Sequence, residues 1–112
     1  MTSSSMSAWN LTLSSEVDTW LKGLSLEDFA MVAARLEYLT AVGNQCRMPI
    51  TRPLGEGLFE LRFALGNHAQ RITFAFAANR SIVALTVFTK QRNSERREIA
   101  RARMKMAAYR NG

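Results

Sequence analysis

A chain of 112 residues, 47% apolar and 21% charged, is long enough for one core without disulfide staples and has the composition of a globular domain. Its single cysteine, Cys46, excludes a disulfide framework and a cysteine-based zinc site and fits a cytoplasmic protein; no run approaches the ~18 apolar residues that span a bilayer. The net charge of +6 is uneven: residues 1–46 carry −3 and residues 47–112 carry +9, an asymmetry that points the second half toward a polyanion.

The chain reads as a single domain over 1–112, with residues 1–7 a disordered leader that lacks the basic and apolar segments of a signal peptide. Residues 8–13 alternate Trp9, Leu11 and Leu13 on one face and predict a strand. Ser15, three residues before Asp18, opens a short helix to about Lys22, and Gly23 stops it. Ser25 with Asp28 repeats the signal for a longer helix to about Val42. There Phe29, Val32, Ala33, Leu36, Leu39 and Val42 keep helical spacing and Gly43 sits at the C-terminal cap. The tight turn between the two predicts an antiparallel helical hairpin. Residues 44–57, with Pro49, Pro53, Gly55 and Gly57, read as loop.

Two strands, 58–65 and 68–76, flank Gly66-Asn67, a type II′ hairpin signal that fixes the register. Leu65 then opposes His68, and the pairs Phe63–Gln70, Arg62–Arg71, Leu61–Ile72, Glu60–Thr73 and Phe59–Phe74 follow. Side chains alternate along a strand, so Phe59, Leu61, Phe63, Ile72 and Phe74 share the buried face. Arg62 and Arg71 meet on the other face, with Glu60 two positions along. Like charges directly opposed in a sheet are destabilising, so the pair requires an anion. Phosphate matches the planar guanidinium fork best.

Residues 81–88 form a nearly continuous apolar run that fits a central strand covered on both faces. A basic bridge, Lys90 to Glu95, leads to a last helix over about 94–109. Ile99, Ala102, Met106 and Tyr109 make its narrow apolar seam, and Arg96, Arg97, Arg101, Arg103, Lys105 and Arg110 take most of the rest. Trp9, Trp20 and Tyr38 read as core residues. The resulting architecture is α+β: a small antiparallel sheet with an N-terminal helical hairpin and a C-terminal helix, the helices on one face and the arginine face open. No His/Cys/Asp/Glu cluster has metal-ligand spacing, and Gly55-Glu56-Gly57 is too short for a nucleotide loop, so neither metal nor cofactor is expected.

Four segments, 53–62, 71–76, 87–92 and 98–102, together resemble the phage-derived Gp49-like group of the RelE/HigB superfamily of type II toxins. The similarity covers about residues 50–110. It implies a RelE-like sheet flanked by helices and a ribosome-dependent endoribonuclease that cuts mRNA. The partners it implies are mRNA, the ribosome and a cognate helix-turn-helix antitoxin. On this resemblance Arg71 matches an arginine expected to stabilise the scissile phosphate, and Arg62 a basic position with a similar task. Lys90 and Arg92 match a basic loop facing the RNA, and Glu98 an acidic position that can pair with an arginine. Arg96 and Arg97 would grip RNA phosphates. The RelE tyrosine has no counterpart between residues 77 and 108, and His68, the only histidine, lies on the hairpin turn. ParE-type toxins share this fold but inhibit DNA gyrase by binding, which leaves a second functional class open.

The implied chemistry is attack of the substrate's 2′-hydroxyl on the adjacent phosphorus. Arginines stabilise the charge that gathers on the nonbridging oxygens. Arginine is too basic to shuttle the proton. That leaves Lys90, His68, a carboxylate such as Glu60, or ribosomal groups.

Overall fold

The computed structural model describes residues 8–111; the expected leader, 1–7, lies outside the described residues. The elements run β1 (Asn10–Leu13), α1 (Ser15–Lys22), α2 (Leu26–Val42), β2 (Thr51–Gly55), β3 (Leu58–Leu65), β4 (His68–Ala77), β5 (Ser81–Thr89) and α3 (Glu95–Asn111). The five strands form one sheet in the order β1-β5-β4-β3-β2. The α+β class and the succession of two helices, sheet and C-terminal helix are as expected. The sheet is mixed, because β1 joins β5 in parallel.

Local chemistry accounts for the helix ends. The Ser14 hydroxyl accepts from the Val17 N–H and the Ser25 hydroxyl from the Asp28 N–H, so Ser14 and not Ser15 caps α1. Ser14 is buried and also donates its hydroxyl to the Leu85 carbonyl, which ties the start of α1 to β5. Gly43 ends α2 at φ +55, its N–H on the Leu39 carbonyl.

The β3–β4 register is as expected at every pair from Phe59–Phe74 to Leu65–His68. Gly66, at φ +60, opens the turn. Between residues 44 and 57 the loop expectation gives way to β2, which pairs antiparallel with β3 and returns through Glu56 and Gly57, both left-handed at φ 54 and 85. That is the backbone of a type I′ hairpin turn. A proline-containing strand is tolerated because β2 is the sheet edge, where Pro53 needs no donor on its outer side.

The main core lies between the sheet and the first two helices. Val17, Leu21, Val32, Leu36 and Leu39 meet Leu61, Phe63, Ile72, Phe74 and Ile82 there, with Trp9 and Trp20 packed at the margin. Phe59, Phe74 and Phe76 form an aromatic cluster with centroids 5.2–5.6 Å apart. Tyr38, expected in the core, is instead exposed, as is Phe29.

Helices cover both faces of the sheet, not one. Helix α3 lies on the second face, where Ala102 and Met106 bury Leu58, Ala75 and Leu85. Leu85 reaches that face through a β-bulge: Thr73 pairs with Thr86 and Phe74 with Ala84, leaving Leu85 as the extra residue. Glu16 on α1 clamps the two layers. It accepts two bonds from Arg101, at 2.6 and 3.0 Å, and a third from the Val87 N–H at 3.0 Å. No described helix is long and apolar enough to cross a membrane.

Candidate functional site

Three adjacent strands build the site on the face that α3 covers in part. The β3–β4 register sets Arg62 against Arg71, and β2 sets Arg52 against Glu60. The first turn of α3 adds Glu95. One carboxylate oxygen, Glu60 Oε2, is shared by three guanidiniums: Arg71 Nε at 3.6 Å, Arg52 Nη1 at 3.7 Å and Arg62 Nε at 3.8 Å. Arg52 Nη1 also donates to Glu95 Oε2 at 3.2 Å.

Burial grades across the cluster. Glu60 is fully buried and Arg71 nearly so, while the Arg62 and Arg52 side chains are 26% and 45% exposed. Neither Glu60 oxygen has a hydrogen-bond partner, and Arg62 Nε is likewise buried without one. Burial pushes the Glu60 carboxyl above its ordinary range, against the pull of Arg71 and Arg52. Burial also lowers the Arg71 pKa, with the charge of Glu60 opposing it. An arginine stays charged at any physiological pH regardless.

Among the described residues no group of three His, Cys, Asp or Glu could hold a metal ion. The arrangement is a cation cluster around a buried carboxylate. Its three positive charges against Glu60 and Glu95 leave an excess of one, facing solvent through Arg62 and Arg52. Chemically it can bind an oxyanion and stabilise charge developing on one.

A family model described as phage derived protein Gp49-like (DUF891) matches residues 19–107. The chain belongs to this family. Among curated proteins none matches it. Among solved structures, a chain of the crystal structure of the toxin–antitoxin complex RelBE2 from Mycobacterium tuberculosis is similar, with a TM-score of 0.53 and 16% identity. The match covers 74% of this chain and 99% of that one, and it shows a shared fold.

Within this Gp49-like chain the sequence-predicted residues are distributed unevenly. Arg62 and Arg71 meet as expected. Lys90 follows β5, its N–H on the Ala69 carbonyl, and continues the alternation that puts Phe88 opposite Arg71. Arg92, Arg96 and Arg97 are exposed on the adjoining loop and first turn of α3. None of the three has a carboxylate within ion-pair reach among the described residues. His68 is exposed at the hairpin turn, and its register with Leu65 puts it on the opposite face from Arg71. Glu98 pairs with Arg101 at 3.0 Å.

Arg52 and Glu95 are the site residues that sequence reasoning missed. Their signal was faint: Arg52 sits between two prolines in a stretch read as loop. A cavity of about 840 Å³ lies elsewhere, between α1, α2 and β1, lined by Leu11, Leu13, Leu21, Phe29, Ala33 and Leu36 among others. It opens on the face away from the arginines.

Proposed function

We propose that this chain is the toxin of a type II toxin–antitoxin system, acting in the cytoplasm as a metal-independent, ribosome-dependent mRNA endoribonuclease held in check by a cognate helix-turn-helix antitoxin. The observation that carries the reading is the convergence of Arg52, Arg62 and Arg71 on one carboxylate oxygen, with Arg62 and Arg52 reaching solvent. Membership of the Gp49-like family and the fold shared with a RelBE2 chain support it.

In this reading an RNA phosphodiester sits against Arg62, with Arg71 acting from beneath. Lys90, Arg92, Arg96 and Arg97 extend the positive surface from the end of β5 through the loop to the first turn of α3. The substrate's 2′-oxygen attacks phosphorus and forms the cyclic phosphate while the P–O5′ bond breaks. The 2′-hydroxyl proton leaves to a base and the 5′-oxygen takes one up. Lys90, an exposed amine on the same face, is the chain's candidate for proton transfer. His68 sits on the other face and serves binding at most. Arginine charge on the nonbridging oxygens lowers the barrier, an effect worth roughly 10²–10³ in rate for one well-placed donor.

The test is to incubate the protein with programmed ribosomes and map mRNA 5′ ends by primer extension. New ends within the A-site codon, lost in Arg71→Ala and Arg62→Ala, are expected. Intact mRNA together with blocked gyrase supercoiling would overturn the nuclease reading in favour of the ParE-like one, to which the missing tyrosine between residues 77 and 108 lends weight.

A further inference from the structure

Glu60 is not explained by stability. A fully buried carboxylate with no hydrogen bond to either oxygen costs folding free energy. Replacing a buried ionic group by a well-packed apolar one is often neutral or stabilising. Apolar neighbours are at hand, since Leu58, two residues earlier on the same face, packs fully buried against α3. Something other than packing must account for a charge at this position.

The geometry around it is specific. Arg62 and Arg71 both turn Nε toward Glu60 Oε2, and Arg52 comes with Nη1. Arg71 Nη1 is occupied by the Gln70 carbonyl at 2.9 Å and Arg62 Nη1 lies 3.6 Å from the Met48 sulfur. Nη2 of each of the three arginines makes no hydrogen bond among the described residues. The separations of 3.6–3.8 Å hold the guanidiniums by charge without locking them in hydrogen bonds.

We propose that Glu60 is a positioning residue of an oxyanion site: it aligns Arg52, Arg62 and Arg71 on one point where the charge of a phosphate is stabilised, at the expense of affinity for the anion itself, with Arg52 the third binding arm. The proposal deepens the reading of the site as a phosphodiester site and rests on it for the identity of the ligand. Glu60 offsets the repulsion of the opposed arginines while the site is empty, and its charge competes with the incoming anion. The charged groups facing it are Arg52 from β2, Arg62 from β3, Arg71 from β4 and Glu95 from α3.

Two readouts test this with Glu60→Gln, which keeps the shape and removes the charge. The first is calorimetric binding of inorganic sulfate, a tetrahedral oxyanion whose charge is constant between pH 4 and 8. Glu60→Gln is expected to bind about tenfold more tightly than wild type at pH 7, because a competing negative charge is gone. Wild-type affinity should rise toward that of the variant as pH falls through the raised Glu60 pKa, while the variant stays flat apart from effects common to both. Arg52→Gln should bind about tenfold more weakly than wild type. The second readout is cleavage on ribosomes, where Glu60→Gln should lower KM and kcat together, since the arginines bind more avidly but lose their common anchor.

Sulfate binding that is equal in the two proteins, weaker in Glu60→Gln, or absent from wild type overturns the proposal, as does an unchanged pH profile. Should Glu60→Gln fail to fold, Arg52→Gln decides: unchanged sulfate affinity in that variant is equally fatal. Sulfate binding that behaves as expected in a protein that leaves mRNA intact would overturn the nuclease reading and leave the role of Glu60 standing.

Discussion

Replacing Glu16 with glutamine should loosen the clamp between the two helical layers by about 1.5–2 kcal/mol. Glu16 accepts two charge-assisted bonds from Arg101 and one from the Val87 N–H. Glutamine can keep the Val87 bond through its carbonyl oxygen but turns an amide donor toward Arg101, a donor itself. Hydrogen bonds to charged groups are worth roughly 1.5–3 kcal/mol when buried. The Glu16 and Arg101 side chains are 25% and 40% exposed, and solvent screening trims the loss toward the lower part of that range. Arg101 also retains Glu98, at 3.0 Å. For a chain of this length, about 4 °C of melting temperature accompanies each kcal/mol, so the fall should be about 6–8 °C.

The sign with pH is fixed by the same contacts. Burial alone would raise the Glu16 pKa, but the Arg101 and Val87 hydrogen bonds, with the charges of Arg101 and Lys105, outweigh it and hold the carboxyl below its ordinary value. A depressed carboxylate contributes stability that is present above the unfolded pKa, near 4.5, and is lost as pH falls through the folded value. The stability gap between wild type and Glu16→Gln, measured by urea unfolding, should therefore be full at pH 7 and close below pH 4.5. A double-mutant cycle with Arg101→Met should give a coupling of about 1 kcal/mol at pH 7 that shrinks as pH falls below 4.5. A gap that persists unchanged at pH 3, or no gap at pH 7, would refute the assignment of the clamp to charge.

Gly43→Ala should be strongly destabilising, because the position has φ +55 and an added Cβ would fall on the Trp9 indole at Nε1, Cε2 and Cδ1. The tryptophan emission maximum should shift as Trp9 is displaced, and an unshifted spectrum with unchanged stability would contradict the packing. Phe74→Ala removes a fully buried ring set 5.6 Å from both Phe59 and Phe76 and should cost about 3–5 kcal/mol in chemical denaturation. Arg103→Ala deletes bonds to the Leu54 and Gly55 carbonyls, at 2.7 and 3.0 Å. It should cost about 1 kcal/mol and speed amide exchange in β2 more than in β4.

The hairpin was legible because its information is local. Gly66-Asn67 sets the turn, the turn sets the register, and the register places every apolar residue of β3 and β4. The caps at Ser25, Gly23 and Gly43 are local in the same way. What escaped was decided at a distance. β2 carries a proline that argues against a strand in general but not against an edge strand, and edge position is a property of the assembled sheet. The place of α3 was hidden for a similar reason. Its seam of Ile99, Ala102 and Met106 was visible, but part of its docking surface, Leu85, reaches the face only through a bulge that strict alternation does not reveal. Helix α2 has more apolar residues than the sheet can cover, so Phe29 keeps the helical spacing and still faces solvent, as does Tyr38 outside that seam.

The arginine pair shows how structure changes an electrostatic argument without reversing it. Two opposed guanidiniums require an anion, and β3 supplies one itself in Glu60, so the pair alone does not establish a ligand. The case for a ligand moves to the balance of the whole cluster. Arg52 arrives from the edge strand that sequence reasoning passed over, and it brings the cations to three against Glu60 and Glu95. The excess charge sits beside the first turn of α3, which brings Glu95, and near the exposed Arg92, Arg96 and Arg97. One face of the sheet thus divides into an apolar half closed by Ala102 and Met106 and a charged half that reaches solvent through Arg62 and Arg52. The Thr73–Thr86 hydroxyl pair, 2.6 Å apart, lies on that same face between the strands that carry Ala75 and Phe88. An oxyanion entering the charged half meets arginines already gathered by Glu60 and competes with that carboxylate for them.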